Sequence, residues 1–279
     1  DYSLTDRYTR DEGRVFLTGV QALTRIPIEV LRADRAQGRT TAAFISGYQG
    51  SPLGGFDQEM ARAAALVPDL PIVLRPAVNE ELGATAVMGS QLVVNQPDQR
   101  YDGVVGFWYG KAPGLDRAAD ALRHACFTGS SSTGGAVALV GDDPASKSST
   151  LPTSSDVVLV GMLMPVLYPG DVQEAIDLGR HAVAMSRLTG LWTSIKVVTA
   201  VADGTGTVDL DPGRVQIVVP DLEVDGRRFE AHPNANLLPP VTLEREQELK
   251  AVRLELARRY GEVNRLNYAS VDPPDAWIG

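Results

Sequence analysis

The sequence contains one cysteine, Cys126, among 279 residues. A single thiol cannot form an intrachain disulfide, and it excludes a four-cysteine iron–sulfur site or a Cys-x-x-Cys metal site within this chain. We expect Cys126 to be a small buried apolar residue. Histidine is also scarce, and His124, His181 and His232 are too far apart in sequence to match a metal-ligand spacing.

Basic residues are outnumbered, with 26 lysines and arginines against 35 aspartates and glutamates, and the net charge is −9. Nucleic acids and anionic membrane surfaces both attract basic patches, so neither is an expected partner. There is no apolar run of the length that a membrane span needs. The acidic start at Asp1 is unlike a signal peptide, and a reducing cytoplasm is the expected setting.

The chain is 44% hydrophobic, which is enough for a substantial core in one or two domains. Short apolar strands are predicted at residues 40–48, 71–78, 103–109, 135–141, 164–167 and 191–199, alternating with helices at 57–66, 80–95, 115–127 and 171–188. This alternation predicts an α/β fold, a doubly wound and mainly parallel sheet. Ligands of such sheets bind at the carboxyl ends of the strands.

Other segments flank this pattern. The polar and aromatic residues before Glu12 are expected to form an arm that lies on the domain or on a neighbour. Apolar spacing over residues 13–35 predicts a helix, which Pro27 should kink or break.

The composition changes after residue 202. Turn signals and prolines predict an extended connector over 203–242, with a short strand at 215–219. The apolar stripe of residues 244–265 predicts a linking helix. The sequence thus divides into a domain at 1–202, the connector, and a final part at 243–279 that contains the linking helix and begins a following domain.

Two segments are candidates for a functional site. The first is the loop Tyr48–Gly55, whose glycines permit positive φ and close approach of a ligand, while Ser51-Pro52 fixes a bend. The second is Asn79-Glu80, where Asn79 is a good N-cap and Glu80 opens a helix. A first-turn carboxylate also suits the helix dipole, and physics alone favours that simpler role.

Together these segments resemble the pyrimidine-binding domain of the thiamine-diphosphate-dependent 2-oxoacid:ferredoxin oxidoreductases. The resemblance is closest to the indolepyruvate ferredoxin oxidoreductase group, including its large fused form. It rests on Tyr48-Gln49-Gly50-Ser51-Pro52, on Asn79-Glu80 and on Gly89. Further matches, which extend the resemblance over roughly Ser3 to Ala202, are Ser3–Tyr8, Glu12–Gly19, Trp108–Lys111, Gly114–Arg117, Gly141–Asp143 and Lys147–Pro152.

The resemblance implies a thiamine diphosphate site. In the family, a glutamate at the position of Glu80 hydrogen-bonds the pyrimidine ring and takes part in catalysis. The implied cofactor-binding residues are Tyr48, Gly50, Pro52, Asn79 and Glu80. Ser51 is either a second catalytic residue, with a hydroxyl near the substrate, or a turn-stabilising serine. Lys111 and Arg117 are weaker candidates for contact with the substrate or coenzyme A.

The resemblance also implies what other domains or chains supply. A complementary diphosphate-binding domain would hold Mg²⁺, and further domains would hold [4Fe-4S] clusters. This chain lacks the Gly-Asp-Gly motif of that second domain, so residues 142–150 are interpreted as an interface loop near the cofactor and not as a metal site. The chain is expected to be one part of a longer polypeptide or multi-chain enzyme, inactive alone and part of a homo-oligomer.

The implied reaction is oxidative decarboxylation of an aryl or branched 2-oxo acid with coenzyme A and ferredoxin, giving acyl-CoA, CO2 and reduced ferredoxin. Two alternatives stay open at this point. One is another thiamine diphosphate enzyme, such as a non-oxidative decarboxylase or a transketolase-like protein. The other is a non-catalytic α/β interaction domain whose glycine-rich loops are only turns.

Overall fold

The computed structural model describes residues 2–224, 226–269 and 271. The strands are β1 Arg14–Thr18, β2 Thr41–Gly47, β3 Ile72–Leu74, β4 Gly103–Lys111, β5 Ala136–Asp142, β6 Val166–Leu167, β7 Trp192–Val198, β8 Thr205–Asp209, β9 Glu223–Val224 and β10 Arg227–Arg228. Six of them form the central sheet in the order β3-β2-β4-β5-β7-β6. Every neighbouring pair in this sheet is parallel.

Helices cover both faces of the sheet. They are α1 Asp6–Thr9, α2 Gly19–Ala36, α3 Phe56–Leu66, α4 Glu80–Gln91, α5 Ala112–Arg117, α6 Ala119–Thr128, α7 Asp156–Gly161, α8 Val172–Thr189, α9 Thr199–Ala202, α10 Val241–Glu248 and α11 Leu254–Val263. Along β4, Phe107 and Tyr109 join a core with α2, α3 and α8, while Trp108 joins a second core with α4 and α6. The predicted doubly wound α/β fold is therefore confirmed.

None of the helices in the described part of the chain combines the length and hydrophobicity that a membrane span requires. The predicted burial of Cys126 is confirmed, because its side chain lies in the second core. Burial raises the pKa of its thiol to about 12. Cys126 is therefore an unreactive core residue.

The strand order reverses between β2 and β4. After β2 the chain adds β3 at one edge, and it then crosses back to place β4 and the later strands on the other side of β2. Such a switch point opens a crevice at the carboxyl ends of the two strands, where open α/β sheets bind ligands. The loop Tyr48–Gly55 and Lys111 both lie at this crevice.

The helix predicted over residues 13–35 is partly wrong. Its first residues form β1, which pairs antiparallel with β8. The helix begins after Thr18, whose side chain accepts a hydrogen bond from the Gln21 amide in a capping box. It continues through Pro27 to Ala36 without a break, because the core on this side of the sheet buries Leu23, Ile26 and neighbouring residues around the proline.

The strand predicted at residues 215–219 is also wrong. The side chain of Asn264 satisfies this segment by donating to the Val218 carbonyl at 2.8 Å and accepting from the Val218 amide at 2.8 Å. The predicted helix at 244–265 is present as α10, a π-helical segment at Leu249–Arg253, and α11. The boundaries at 202 and 242 stay predictions. Residues 276–279, whose sequence indicates the start of a further strand, lie outside the described residues.

The N-terminal arm lies on this domain. Tyr8 is buried and donates a hydrogen bond to Glu59 Oε1 at 2.6 Å. The buried guanidinium of Arg25 donates to the carbonyl oxygens of Arg7 and Arg10. The arm is therefore held against α2 and α3 by backbone carbonyls that would otherwise lack donors.

A buried carboxylate, Asp34, joins three elements at the amino end of the sheet. Arg187 of α8 donates to its two oxygens at 2.8 and 2.6 Å, and Thr41 of β2 donates at 2.6 Å. Burial alone would raise the pKa of the Asp34 carboxyl, but hydrogen bonds from Arg187, Thr41 and Arg39 lower it below the ordinary value of 3.8.

We expect Asp34→Asn to lower the free energy of unfolding by about 3 to 5 kcal/mol, because it removes the buried charge that pairs with the half-buried Arg187. The lower pKa of Asp34 in the folded state means that its contribution is complete above about pH 4 and is lost as the pH falls through the folded value. Urea unfolding near neutral pH and at a series of pH values below about 4 should therefore show an effect of the substitution that shrinks as the pH falls.

Asp69→Asn is the matched control for this experiment. Asp69 also pairs with an arginine, Arg35, at 2.8 Å, but the two side chains are 67% and 55% exposed. Its loss should cost less than about 1 kcal/mol. Equal effects of the two substitutions would contradict the role assigned to Asp34.

Candidate active site

The end of β2 is packed so closely that it accepts only glycine. A Cβ on Gly47 would lie 2.0 Å from the carbonyl oxygen of Tyr109 on β4. The Gly47 carbonyl accepts from the amide of Ala77 at 2.9 Å, and the Tyr48 amide donates to the Tyr109 carbonyl at 3.0 Å. The glycine-rich loop therefore starts from a fixed point between β4 and the segment that leads into α4.

The loop itself packs on its neighbours through Gly50 and Pro52. A Cβ on Gly50 would lie 2.8 Å from Cδ of Lys111, so the aliphatic part of Lys111 covers the loop backbone. A Cβ on Gly141, at the end of β5, would lie 2.9 Å from Cδ of the buried Pro52. The Ser51-Pro52 peptide bond is cis. Tyr48 is 40% exposed at the start of the loop.

Helix α4 begins as the sequence predicted. The side chain of Asn79 accepts a hydrogen bond from the Leu82 amide at 2.9 Å, which confirms the N-cap. The indole N–H of Trp108 donates to the Glu80 carbonyl at 2.9 Å and so ties the first turn of the helix to β4. The Asn79 side-chain oxygen thus fixes the start of helix α4.

The side chain of Glu80 has little exposure, and its carboxylate has no hydrogen bond from the described residues. The residue is 5% exposed, and within the described residues no donor lies at hydrogen-bonding distance from either carboxylate oxygen. Arg117 approaches with its Nε at 3.8 Å from Oε2, but the Arg117 side chain is 71% exposed. A Cβ on Gly114 would lie 2.7 Å from Oε1, so α5 leaves just enough room for the carboxylate.

Carboxylates with so little exposure usually have hydrogen-bond donors in native proteins. Glu81 contrasts with its neighbour, because it is exposed on the helix surface. The helix dipole explains an acid in the first turn, but it does not explain why one of two adjacent acids is buried. The Glu80 carboxylate therefore has free capacity to accept hydrogen bonds.

Asp142 and Asp143, at the end of β5, are fully buried and serve their own loops. Asp142 accepts from the amide and hydroxyl of Ser155 at 2.9 and 2.8 Å. Asp143 accepts from the Lys147 and Ser148 amides at 2.9 and 2.8 Å. The amide hydrogen bonds lower the pKa of the Asp143 carboxyl to about 2, and the bond from Ser148 has the largest effect. In the described part of the chain no group of three or more acidic, histidine or cysteine side chains could hold a metal ion.

One contact at the site was not predicted from the sequence. The Ser51 hydroxyl, on the glycine-rich loop, forms a hydrogen bond with the hydroxyl of Ser148, on the loop after β5. The two loops follow different strands of the sheet, and only the order of those strands could have indicated that they meet. The structure thus brings together Ser51 with Ser148, Gly50 with Lys111, and Glu80 with Arg117.

Close packing between α4 and β2 provides a test of how Glu80 is positioned. A Cβ on Gly83 would lie 2.8 Å from the Gly47 Cα, whereas a Cβ on Gly89 would meet no atom within 4 Å. We expect Gly83→Ala to push α4 away from β2 and to lower the free energy of unfolding by about 1 to 3 kcal/mol. Gly89→Ala should instead be neutral or stabilise the helix by up to about 1 kcal/mol. Denaturant unfolding of both variants measures the difference, and equal stabilities would disprove the close contact.

The sequence of the chain is similar to those of three known proteins. No family model matches it. It is 24% identical over 267 residues to the indolepyruvate oxidoreductase subunit IorA of Archaeoglobus fulgidus, covering 95% of this chain and 38% of that protein. It is 25% identical over 201 residues to the same subunit of Methanothermobacter thermautotrophicus, covering 72% of this chain and 29% of that protein.

A third IorA subunit, from Methanothermobacter marburgensis, is 24% identical over 240 residues, which cover 86% of this chain and 35% of that protein. The chain therefore spans between 29% and 38% of the length of these relatives. Each relative is by name one subunit of an oxidoreductase.

Among solved structures, the chain resembles a 2-oxoglutarate:ferredoxin oxidoreductase from Magnetococcus marinus, solved with 2-oxoglutarate, coenzyme A and succinyl-CoA bound. The TM-score is 0.59 at 16% identity, and the match covers 91% of this chain and 46% of that one. This likeness shows a shared fold. The chain is therefore a relative of the indolepyruvate oxidoreductase IorA subunits, with the fold of a 2-oxoacid:ferredoxin oxidoreductase, as its motifs predicted.

Proposed function

We propose that this chain supplies the pyrimidine-binding side of a thiamine diphosphate site in a 2-oxoacid:ferredoxin oxidoreductase of the indolepyruvate or arylpyruvate type. The observation that carries the proposal is the Glu80 side chain, which is only 5% exposed and whose carboxylate has no hydrogen bond from the described residues. Its place at the switch point of the sheet, beside a glycine-rich loop, supports a ligand site. The similarity to IorA subunits supports this reaction class.

Thiamine diphosphate, when bound, supplies the electron sink that decarboxylation of a 2-oxo acid requires. Glu80 would accept a hydrogen bond from the pyrimidine ring and so hold a proton at the ring nitrogen. A carboxylate suits this task because it accepts but does not donate when ionised. Burial also keeps water from competing for the same bond.

The other proposed cofactor-binding residues are Tyr48, Gly50, Pro52 and Asn79. Gly50 leaves the loop backbone open to close approach, and Pro52 anchors the loop on Gly141. Tyr48 presents a partly exposed ring at the crevice, which suits contact with a flat heterocycle. Asn79 contributes through the cap that fixes the first turn of α4.

Three further residues are proposed to contact the substrates. The Ser51 hydroxyl would donate to the carboxylate or carbonyl oxygen of the 2-oxo acid, where negative charge develops. Lys111 is half-buried, and its stem lies on Gly50, which places its ammonium group near the same loop as a candidate partner for the substrate carboxylate. The exposed Arg117, beside Glu80, is the weaker candidate for that carboxylate or for a coenzyme A phosphate.

Further parts of the enzyme would supply the rest of the proposed reaction. The diphosphate-binding domain with Mg²⁺ and the [4Fe-4S] clusters would lie outside this chain, which spans well under half of its relatives. Coenzyme A would take the acyl group and ferredoxin the electrons. We propose a homo-oligomer in a reducing cytoplasm, a setting that suits iron–sulfur clusters.

In the complete enzyme, Glu80→Gln and Glu80→Ala should each lower turnover of the 2-oxo acid by at least about 100-fold, because both remove the carboxylate that holds the pyrimidine proton. Glu81→Gln is the matched control: it removes an exposed neighbouring acid and should change turnover by no more than about twofold. Steady-state rates and thiamine diphosphate binding are measured for each variant. Near-normal turnover of Glu80→Gln would refute this role.

The reaction class is tested by a substrate screen on the complete enzyme, purified without oxygen and supplied with thiamine diphosphate, Mg²⁺ and coenzyme A. Reduction of a low-potential dye is followed with indolepyruvate, phenylpyruvate, pyruvate and branched 2-oxo acids. We expect coenzyme-A-dependent reduction with an aryl 2-oxo acid, and a higher KM for it in Lys111→Met. Turnover without coenzyme A would indicate another thiamine enzyme class. No turnover and no retained thiamine diphosphate would indicate a non-catalytic domain.

A further inference from the structure

Two loops from different parts of the sheet meet at a pair of serine hydroxyls. Ser51 lies on the glycine-rich loop after β2, and Ser148 lies on the loop after β5. Their side-chain oxygens are hydrogen-bonded to each other. Since the Ser51 hydroxyl is proposed to act on the substrate, whatever orients Ser148 also orients a group of the site.

Asp143 fixes the position of the Ser148 backbone. This fully buried carboxylate accepts hydrogen bonds from the backbone amides of Lys147, Ser148 and Ser149 at 2.9, 2.8 and 2.9 Å. Thr199 of α9 adds its hydroxyl at 3.2 Å. Three consecutive amides that converge on one carboxylate fix the backbone of the loop in a single conformation.

Two further contacts restrain the loop after β5. The Lys147 ammonium group contacts Asp203 Oδ2 at 2.5 Å, and the Thr153 hydroxyl accepts from the Asp143 amide at 2.7 Å. The amide hydrogen bonds hold the pKa of the Asp143 carboxyl at about 2, and the bond from Ser148 has the largest effect. Asp143 is therefore charged at neutral pH. Ser148 is therefore presented to Ser51 on a rigid support.

We propose that Ser148, held by Asp143, is a positioning residue that orients the hydroxyl of Ser51 toward the 2-oxo acid. This inference rests on the proposed function. A serine hydroxyl has one proton to donate and can accept bonds at its oxygen. When Ser148 donates to the Ser51 oxygen, the Ser51 proton is left free and directed away from Ser148. In that state Ser51 can donate to the substrate.

A purely structural contact between the loops predicts something different. If the Ser51–Ser148 bond only joins two loops, its loss would affect stability and every ligand of the site alike. A positioning role predicts instead a specific loss of efficiency with the 2-oxo acid that disappears when Ser51 is already absent. A double-mutant cycle separates the two.

The cycle compares Ser148→Ala, Ser51→Ala and the double variant in the complete enzyme. We expect Ser148→Ala to lower kcat/KM for the 2-oxo acid by about 5- to 10-fold, the effect of one neutral hydrogen bond. In the Ser51→Ala background the same change should have an effect of no more than about twofold. Thiamine diphosphate affinity should be unchanged in both backgrounds.

Two further variants complete the design. Ser148→Thr keeps the hydroxyl and should restore efficiency to near the wild-type value. Thr205→Ala is the control, since Thr205 is an exposed hydroxyl residue of β8, away from the loops of the site, with no hydrogen-bond partner for its side chain among the described residues. It should leave kcat/KM unchanged.

Additive effects of Ser148→Ala and Ser51→Ala, or failure of Ser148→Thr to restore efficiency, would overturn the positioning role. The proposed function would stand in that case, provided that the wild-type enzyme turns over a 2-oxo acid with coenzyme A. A wild-type enzyme without such turnover would overturn both. The two failures are distinguished by the wild-type assay alone.

Discussion

The arrangement of the site depends on the absence of a side chain at Gly47. On one side of this residue the Tyr109 carbonyl leaves no room for a Cβ, and on the other side the backbone of α4 approaches at Gly83. Strand β2, strand β4 and helix α4 thus meet at one point. The glycine-rich loop leaves from this point and Glu80 is carried to it. A shift of a few tenths of an ångström at Gly47 would therefore change the distance between the glycine-rich loop and Glu80.

Three buried carboxylates show three ways of handling charge away from water. Asp34 is neutralised by arginine, and Asp143 is satisfied by backbone amides. Glu80 has neither kind of partner within the described residues, only a 3.8 Å contact with Arg117, whose side chain is mostly in solvent. Contacts within the fold thus satisfy the charges of Asp34 and Asp143. Glu80 has no such partner among the described residues, and this difference supports its proposed role as a binding group.

Local pattern was sufficient to predict most of the sheet and the start of α4. Runs of apolar residues mark buried parallel strands, and Asn79 followed by acids marks a helix start, so these features need no knowledge of distant residues. The predictions were wrong where contacts with residues distant in sequence determine the local structure. β1 forms because β8 pairs with it, and Pro27 is tolerated because the core packs around its helix. The family resemblance indicated a cofactor-binding role for Glu80, but the spacing of residues could not show that its side chain has little exposure. The spacing could not show the contact between Ser51 and Ser148 either.

The pairing of β1 with β8 also affects how the chain reaches its fold. These two strands lie at opposite ends of the α/β unit, with the entire parallel sheet between them in sequence. Closing so large a loop costs conformational entropy that local contacts do not offset, and long-range pairings of this kind slow folding. The ribbon is therefore expected to join late, after the sheet has already brought its two ends together. Until then the N-terminal residues lack their partner, and their apolar side chains stay exposed to solvent during synthesis.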